Sequence, residues 1–271
     1  MSNAPAPPAM DLLNLTGRYA LITGASGGIG RVIATQFAAA GATVILQYHR
    51  NTHAIETLQK NIIQEGGAAT CLQADLCCED QVKEAFKQIS DTYSALDILV
   101  NAAGDFPTCA FRDMTLAKWR QMFAVNLESA MLCSKYAREL MVHSNRSRGR
   151  DTTHSSIINI SSIAGIAPGA DHSHYNSAKA AMIQMGRSLA QEFGPIGIRV
   201  NTVSPGLIMR KKLATDWPDG LERWCKKAPL GRVGQAIDVA NACLFLASPM
   251  AEFITGTNIP VDGGVLSAAP Y

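Results

Sequence analysis

Tyr19-Ala20-Leu21-Ile22-Thr23-Gly24-Ala25-Ser26-Gly27-Gly28-Ile29-Gly30 decides the fold. Residues 19–23 are a short, nearly continuous apolar run, which reads as a strand buried on both faces in a parallel sheet. The small residues that follow let the backbone turn sharply and approach another group closely. A helix is predicted from about Gly28 to Ala40, with Gly41 ending it. Its N-terminus offers unpaired N–H groups and a positive dipole end, which suit a phosphate. The glycine spacing is G-x-x-x-G-x-G rather than the commoner G-x-G-x-x-G, so a tight turn with no ligand is the competing reading. The position at the first strand-to-helix junction favours a dinucleotide, held by Gly24, Ser26, Gly27, Gly28, Ile29 and Gly30.

The alternation continues outward from this stretch. Further strands are predicted at Thr43–Gln47, Thr70–Ala74, Asp97–Val100, Ser156–Ser161, Ile198–Ser204 and Asn258–Val261. Helices are predicted from Asn51 or Thr52 to about Glu65, at Glu79–Thr92, from Thr115 to about His143, at His174–Phe193 and at Asp238–Ser248. Seven strands alternating with helices specify an α/β fold, a doubly wound parallel seven-stranded sheet covered on both faces. Residues 15–271 read as a single domain. A Pro- and Ala-rich flexible N-terminal arm, residues 1–14, precedes it. Two segments break the rhythm. Ser144–Ser155 is polar, contains Arg146, Arg148 and Arg150, and reads as a solvated insertion loop. Residues 207–233 are long for a connection, and such connections at the carboxyl ends of strands build substrate sites.

The 271 residues are 47% apolar with a net charge of +2, enough for a sizeable core in one large α/β unit. Near neutrality gives no reason to expect nucleic acid or an anionic membrane as partner. The apolar runs are too short to span a bilayer, and the N-terminus lacks the basic start and apolar region of a secretory signal. Seven cysteines without a C-x-x-C pair argue for thiols in a reducing cytoplasm. His172 and His174 lack the further ligands a metal needs. No metal is expected, and both read as polar residues at a pocket mouth.

The second strand leads into Tyr48-His49-Arg50-Asn51. An NAD site usually places a carboxylate here for the ribose hydroxyls. No acid is present, and Arg50, helped by His49 and Asn51, suits the 2′-phosphate of NADP; the competing reading is a solvated loop cation. Tyr175-Asn176-Ser177-Ala178-Lys179 opens a predicted helix, where residues four apart share a face. An ammonium beside a phenol favours the phenolate and predicts a tyrosine pKa below its usual value of about 10. That would fit it for proton exchange near neutrality. The pair alone is common by chance. Ser161 and Ser162, however, end the strand before it, at the edge where such sheets bind ligands. Asn101-Ala102-Ala103-Gly104 ends another strand at that edge, and Asn126 lies in the long helix.

Together these stretches resemble the short-chain dehydrogenase/reductase family. The matching residues are 23–30, Asp75, 101–104, Asn126, Ser162, Tyr175, Lys179, Pro205-Gly206 and 261–264, spread over nearly the whole chain. The resemblance implies a Rossmann fold and an NADP(H)-dependent oxidoreductase that interconverts a carbonyl and a secondary alcohol. It implies that Tyr175 is the acid in reduction and the base in oxidation. Lys179 would bind the nicotinamide ribose beside Tyr175 and lower the tyrosine pKa. Ser162 would orient the substrate oxygen, and Asn126 would hold a water linking Lys179 to solvent. Asp75 would bond the adenine amino group, with Leu76 beside the ring. Asn101, Ala102 and Gly104 would line the adenosine ribose, and Pro205, Gly206 and Ile208 the nicotinamide end. The implied assembly is a homotetramer or homodimer, paired through the long helix and the next.

The implied subclass is the 3-oxoacyl-carrier-protein reductase type. Gln47-Tyr48-His49-Arg50 also resembles pteridine reductases, but Ser26 and Ser162 stand where those have an arginine and an acid. Steroid and sugar substrates stay open, as does a non-catalytic NADP(H)-sensing protein, although a sensor has no need of Ser162, Tyr175 and Lys179 together. One departure stands out. The family often has a threonine four residues after Gly206, bonding the carboxamide; here Arg210 stands in its place, facing either the diphosphate or an anionic substrate. Asp105, Phe106 and Pro107 read as pocket lining, Phe111 and Trp119 as packing, and Val125, Leu127, Met131 and Leu132 mainly as core. Trp217 and Trp224 read either as a lid or as packing.

Overall fold

In the computed structural model, residues 12–93, 95–147 and 155–267 are described. The apolar runs form β1 (Tyr19–Ile22), β2 (Thr43–Tyr48), β3 (Ala68–Gln73), β4 (Ile98–Asn101), β5 (Ser155–Ile160), β6 (Ile198–Pro205) and β7 (Asn258–Val261). All pair in parallel, in the order β3-β2-β1-β4-β5-β6-β7. The order reverses between β1 and β4, and ligands bind doubly wound sheets at the carboxyl end of such a reversal. The helices are α1 (Gly28–Ala39), α2 (Thr52–Gln64), α3 (Glu79–Tyr93), α4 (Leu116–Phe123), α5 (Ser129–Ser147), α6 (Ser173–Phe193), α7 (Leu213–Asp216), α8 (Pro218–Lys227) and α9 (Ala236–Ala247).

Alternate strand residues feed two cores, as the period of two requires. Ala20, Ile22, Leu46 and Val203 pack on one face with Ile33 and Phe37 of α1 and Leu246 of α9. Leu21, Leu99, Ile157 and Val200 pack on the other with Phe86 of α3 and Cys133 and Met141 of α5. Both faces are covered, which is why the inner strands β4, β5 and β6 are almost entirely buried.

Several expectations are adjusted. The rod predicted from Thr115 to about His143 is continuous but contains a π-turn at Ala124–Glu128, where Ser129 N bonds Ala124 O five residues back. Ser144 belongs to α5, not to a loop: it is buried, donates to Leu140 O and accepts from Leu96 N. Ser155 opens β5, and residues 148–154 of the expected insertion lie outside the described residues. So do residues 1–11 of the expected arm; Leu15, just after it, is buried and bonded to Ala40 O. Asn51, one of the two candidates, caps α2 through Ala54 N. Helix α9 starts two residues earlier than expected, because Gln235 and Asp238 form a capping box. The 207–233 connection contains α7 and α8, which the expectation of a plain loop omitted. No helix among the described residues is long and apolar enough to cross a membrane.

Candidate active site

The turn after β1 is held from three sides. Thr23 Oγ1 accepts from the Ala102 and Ala103 amides at 2.9 and 3.0 Å, tying it to the end of β4. Gly24 has φ +62°, and a Cβ there would stand 2.8 Å from Ala103 Cα. The Gly24 amide donates to Gln47 Oε1, and Gln47 Nε2 donates to Ala74 O. Buried Gln47 thus bridges the ends of β1 and β3 from the middle strand, a role its polar type in an apolar run did not announce. Gly30 is packed so closely that a Cβ would meet Gly24 O at 2.5 Å, whereas at Gly28 it would meet nothing within 4 Å. Helix α1 begins after Gly27 with no side-chain cap, leaving its first N–H groups for a ligand. A tight turn with an open cradle at its lip fits a diphosphate.

Beyond β2, His49 and Arg50 are exposed, and His49 Nε2 lies 3.8 Å from Asp75 Oδ2. Asn51 is also exposed, but its side-chain oxygen is engaged in capping α2. Asp75 Oδ1 accepts from Cys77 N, and Leu76 is buried beside it. Asn101 sits at the end of β4. Its side chain is buried and donates to Ser134 Oγ and Asn159 Oδ1, so any ribose contact falls to its backbone. Ala102 is fixed through Thr23. Gly104 leaves no room for a side chain: a Cβ would stand 2.7 Å from Asn126 Oδ1 and 3.5 Å from Lys179 Nζ.

Gly104 thus stands between Asn126 and Lys179. Asn126 sits fully buried in the π-turn. Its Nδ2 donates to Asp105 O and Met122 O, and its Oδ1 accepts from Asp105 N. Lys179 Nζ is buried, donates to Ile160 O at 2.9 Å, and lies 5.7 Å from the Tyr175 ring centroid. Ser161 and Ser162 divide their tasks: Ser161 Oγ donates to Lys179 O, anchoring α6 to the end of β5, while the Ser162 hydroxyl is near enough to Tyr175 to act on its pKa. Ser162 Oγ also accepts from Ala164 N. The next turn lies directly on α6, since a Cβ on Gly165 would meet Ala180 N at 2.7 Å.

The electrostatics differ from the expected depressed tyrosine. Burial raises the Tyr175 pKa, and the bond from Ser162 lowers it against that trend. Burial brings the Lys179 ammonium down to about 8. Removal from water is thus the largest influence on both groups in the free protein.

At the other end of the edge, Gly206 N bonds Val261 O. The Trp224 indole packs against Gly206, with Cζ2 2.8 Å from where a Cβ would stand, and its buried Nε1 has no partner among the described residues. Trp224 therefore packs against Gly206, while Trp217 is half-exposed, with Arg223 over its ring. Ile208 bridges to Gly234. Arg210 reaches over Phe106, 6.0 Å from the ring, and Phe106 lies 6.3 Å from the Tyr175 ring. Phe106 is exposed beside Tyr175, and His172 also stands near that ring, at 6.4 Å. His174 does not: it is buried, and its pKa is lowered by that burial. Phe111 and Met131 are exposed rather than packed, while Trp119 stacks on Phe123. Among the described residues, no three His, Cys, Asp or Glu side chains gather as a metal group.

Comparison with known proteins agrees with this arrangement. The family model described as enoyl-(acyl carrier protein) reductase matches residues 24–266. The chain is 36% identical over 255 residues to a 3-oxoacyl-[acyl-carrier-protein] reductase of Synechocystis, covering 93% of this chain and 98% of that protein. It is 35% identical over 254 residues to a 2,5-dichloro-2,5-cyclohexadiene-1,4-diol dehydrogenase of Sphingobium indicum, covering 92% and 96%. Among solved structures, a gluconate 5-dehydrogenase of Burkholderia cenocepacia in complex with NADP and tartrate superposes with a TM-score of 0.87. It is 31% identical, with 96% of this chain and 100% of that chain covered.

Proposed function

The chain belongs to the short-chain dehydrogenase/reductase family of oxidoreductases, and from that premise we propose that it interconverts a carbonyl and a secondary alcohol with NADP(H). The observation that carries this reading is the buried Lys179 ammonium 5.7 Å from the Tyr175 ring, with Ser162 just past the end of the neighbouring strand β5. The cradle at Gly28 receives the diphosphate, and Arg50 faces the 2′-phosphate, with His49 beside it. Asp75, Leu76 and the backbone from Asn101 to Gly104 line the adenosine half. Pro205, Gly206 and Ile208 line the nicotinamide half. The bound cofactor supplies or accepts the hydride.

The chain's own residues handle the oxygen and the proton. Ser162 holds the substrate oxygen by its hydroxyl. Tyr175 gives its proton to that oxygen in reduction and takes one back in oxidation. Lys179 holds the ribose, and through Asn126 its ammonium is reprotonated from solvent. Residues 207–233 close over the substrate. The exposed Leu116 and Met131 along the α4–α5 rod support pairing of that rod and α6 between subunits, as a homodimer or homotetramer. Seven free thiols support a reducing cytoplasm. A 3-oxoacyl thioester is the substrate subclass suggested by the Synechocystis relative, and the gluconate 5-dehydrogenase likeness supports a sugar acid as a second reading.

The test is NADPH oxidation against ketones, diones, sugar acids and acetoacetyl thioesters, with Tyr175→Phe as control. The reading requires the variant to lose about 10²-fold or more in kcat, the scale of general acid–base catalysis. Tight NADPH binding with no turnover of any carbonyl would favour a sensor instead.

A further inference from the structure

The substrate mouth holds a cation at a position that the proton and hydride chemistry does not use. Arg210 is half-exposed, and its guanidinium lies over the Phe106 ring. Phe106 is itself exposed, and the other side of its reach is Tyr175. The arginine backbone is fixed on both sides. Met209 N bonds Gly234 O, Ile208 bridges to Gly234, and Arg210 O accepts from Leu213 N. From this pinned segment the side chain reaches the Phe106 ring, which neighbours Tyr175. Its one ion-pair partner among the described residues is Asp216, at 3.7 Å and half-exposed. A pair that open to water is worth little. Nearby Asp105 has its Oδ1 engaged by the Phe106 amide. The surrounding segment is basic: residues 207–233 hold seven Lys or Arg against three Asp or Glu, in a chain of net charge +2.

Resting on the reading above, we propose that Arg210 binds a carboxylate of the substrate, so that the physiological carbonyl compounds are oxo acids. A planar guanidinium stacked on an aromatic ring keeps its N–H edge free for a bidentate carboxylate. The ligand carboxylate would displace the loose Asp216 contact. The alternative is that Arg210 serves the cofactor diphosphate.

The experiment compares acetoacetate, 4-oxopentanoate and 5-oxohexanoate with their methyl esters, using the full chain and NADPH. For Arg210→Gln, KM for at least one acid rises about tenfold or more, the scale of one charged hydrogen bond. The matching ester moves by less than about threefold, and the NADPH Kd, read by fluorescence, is unchanged. Asp216→Asn lowers the KM for the same acid. Esters turned over as well as acids would overturn the proposal, as would a loss of NADPH affinity in Arg210→Gln with both substrate sets affected alike. If neither set is reduced, the carbonyl-reducing function fails, and equilibrium dialysis of the three acids against the NADP-loaded protein decides the anion site separately. Binding lost in Arg210→Gln upholds it; no binding overturns it.

Discussion

Gln47 Oε1 accepts the amide proton of Gly24 at 2.9 Å, while the same side chain donates to Ala74 O at 2.8 Å. One buried amide thus sets the height of the phosphate turn against the end of β3. Gln47→Leu leaves a buried N–H and a buried carbonyl unpaired, each costing about 1–3 kcal/mol. Urea unfolding should show that loss, and NADPH titration should show a Kd raised about tenfold or more. Wild-type values for both would make the bridge dispensable.

Gly28 and Gly30 are two residues apart but do different work. A methyl at Gly28 meets nothing in the protein, whereas at Gly30 it meets Gly24 O at 2.5 Å. Gly28→Ala is expected to keep the melting temperature and weaken NADPH binding. Gly30→Ala is expected to lose about 1–3 kcal/mol of stability through overpacking. Calorimetry and fluorescence titration on both variants separate cradle from scaffold; a destabilised Gly28→Ala would contradict the open cradle.

Arg50 is exposed just past the end of β2, with no acid beside it in sequence. Arg50→Asp sets a carboxylate where a 2′-phosphate would lie and offers it to ribose hydroxyls. The ratio of kcat/KM for NADPH over NADH should fall by about tenfold or more, one lost charged contact being worth about 1.5–3 kcal/mol. An unchanged ratio would assign cofactor choice to other residues.

Burial depresses Lys179 from 10.5 to about 8. Below about pH 8 both folded and unfolded chains carry this proton, and the full cost of burying the charge stands. Between about 8 and 10.5 the folded chain has released it and the unfolded chain has not, so this residue makes stability rise with pH. Lys179→Met should remove that rise. Urea midpoints for both proteins from pH 7 to 11 measure the difference, and parallel curves would mean that the ammonium is solvated.

Sequence patterns exposed the frame of the molecule because both faces of the sheet are covered. That gives each strand from Tyr19–Ile22 to Asn258–Val261 an apolar segment that the sequence shows. Tyr175, Lys179 and Ser162 were legible through spacing and place, and the structure brings them together. The residues that escaped did so for local reasons. Gln47 is polar inside an apolar strand, and only its three-dimensional neighbours show that it bridges strand ends. His174 follows polar residues yet points into the protein. The depressed tyrosine was inferred from a charge pair, but burial of both partners reverses the balance. The π-turn hides because apolar periodicity runs through it without interruption.

That wide turn, Ala124–Glu128, acts as a gearing between two halves of one rod. Each residue of a regular helix advances about 100°, so one extra residue rotates everything before it relative to everything after. Upstream, α4 can present its Trp119–Phe123 stack, while downstream α5 keeps Cys133, Ala137 and Met141 locked in the core. Deleting a single residue here would straighten the helix and misphase it. Asn126 would swing away from Gly104 and Lys179, so the proposed proton path depends on an irregularity in the backbone as much as on the side chains it displays.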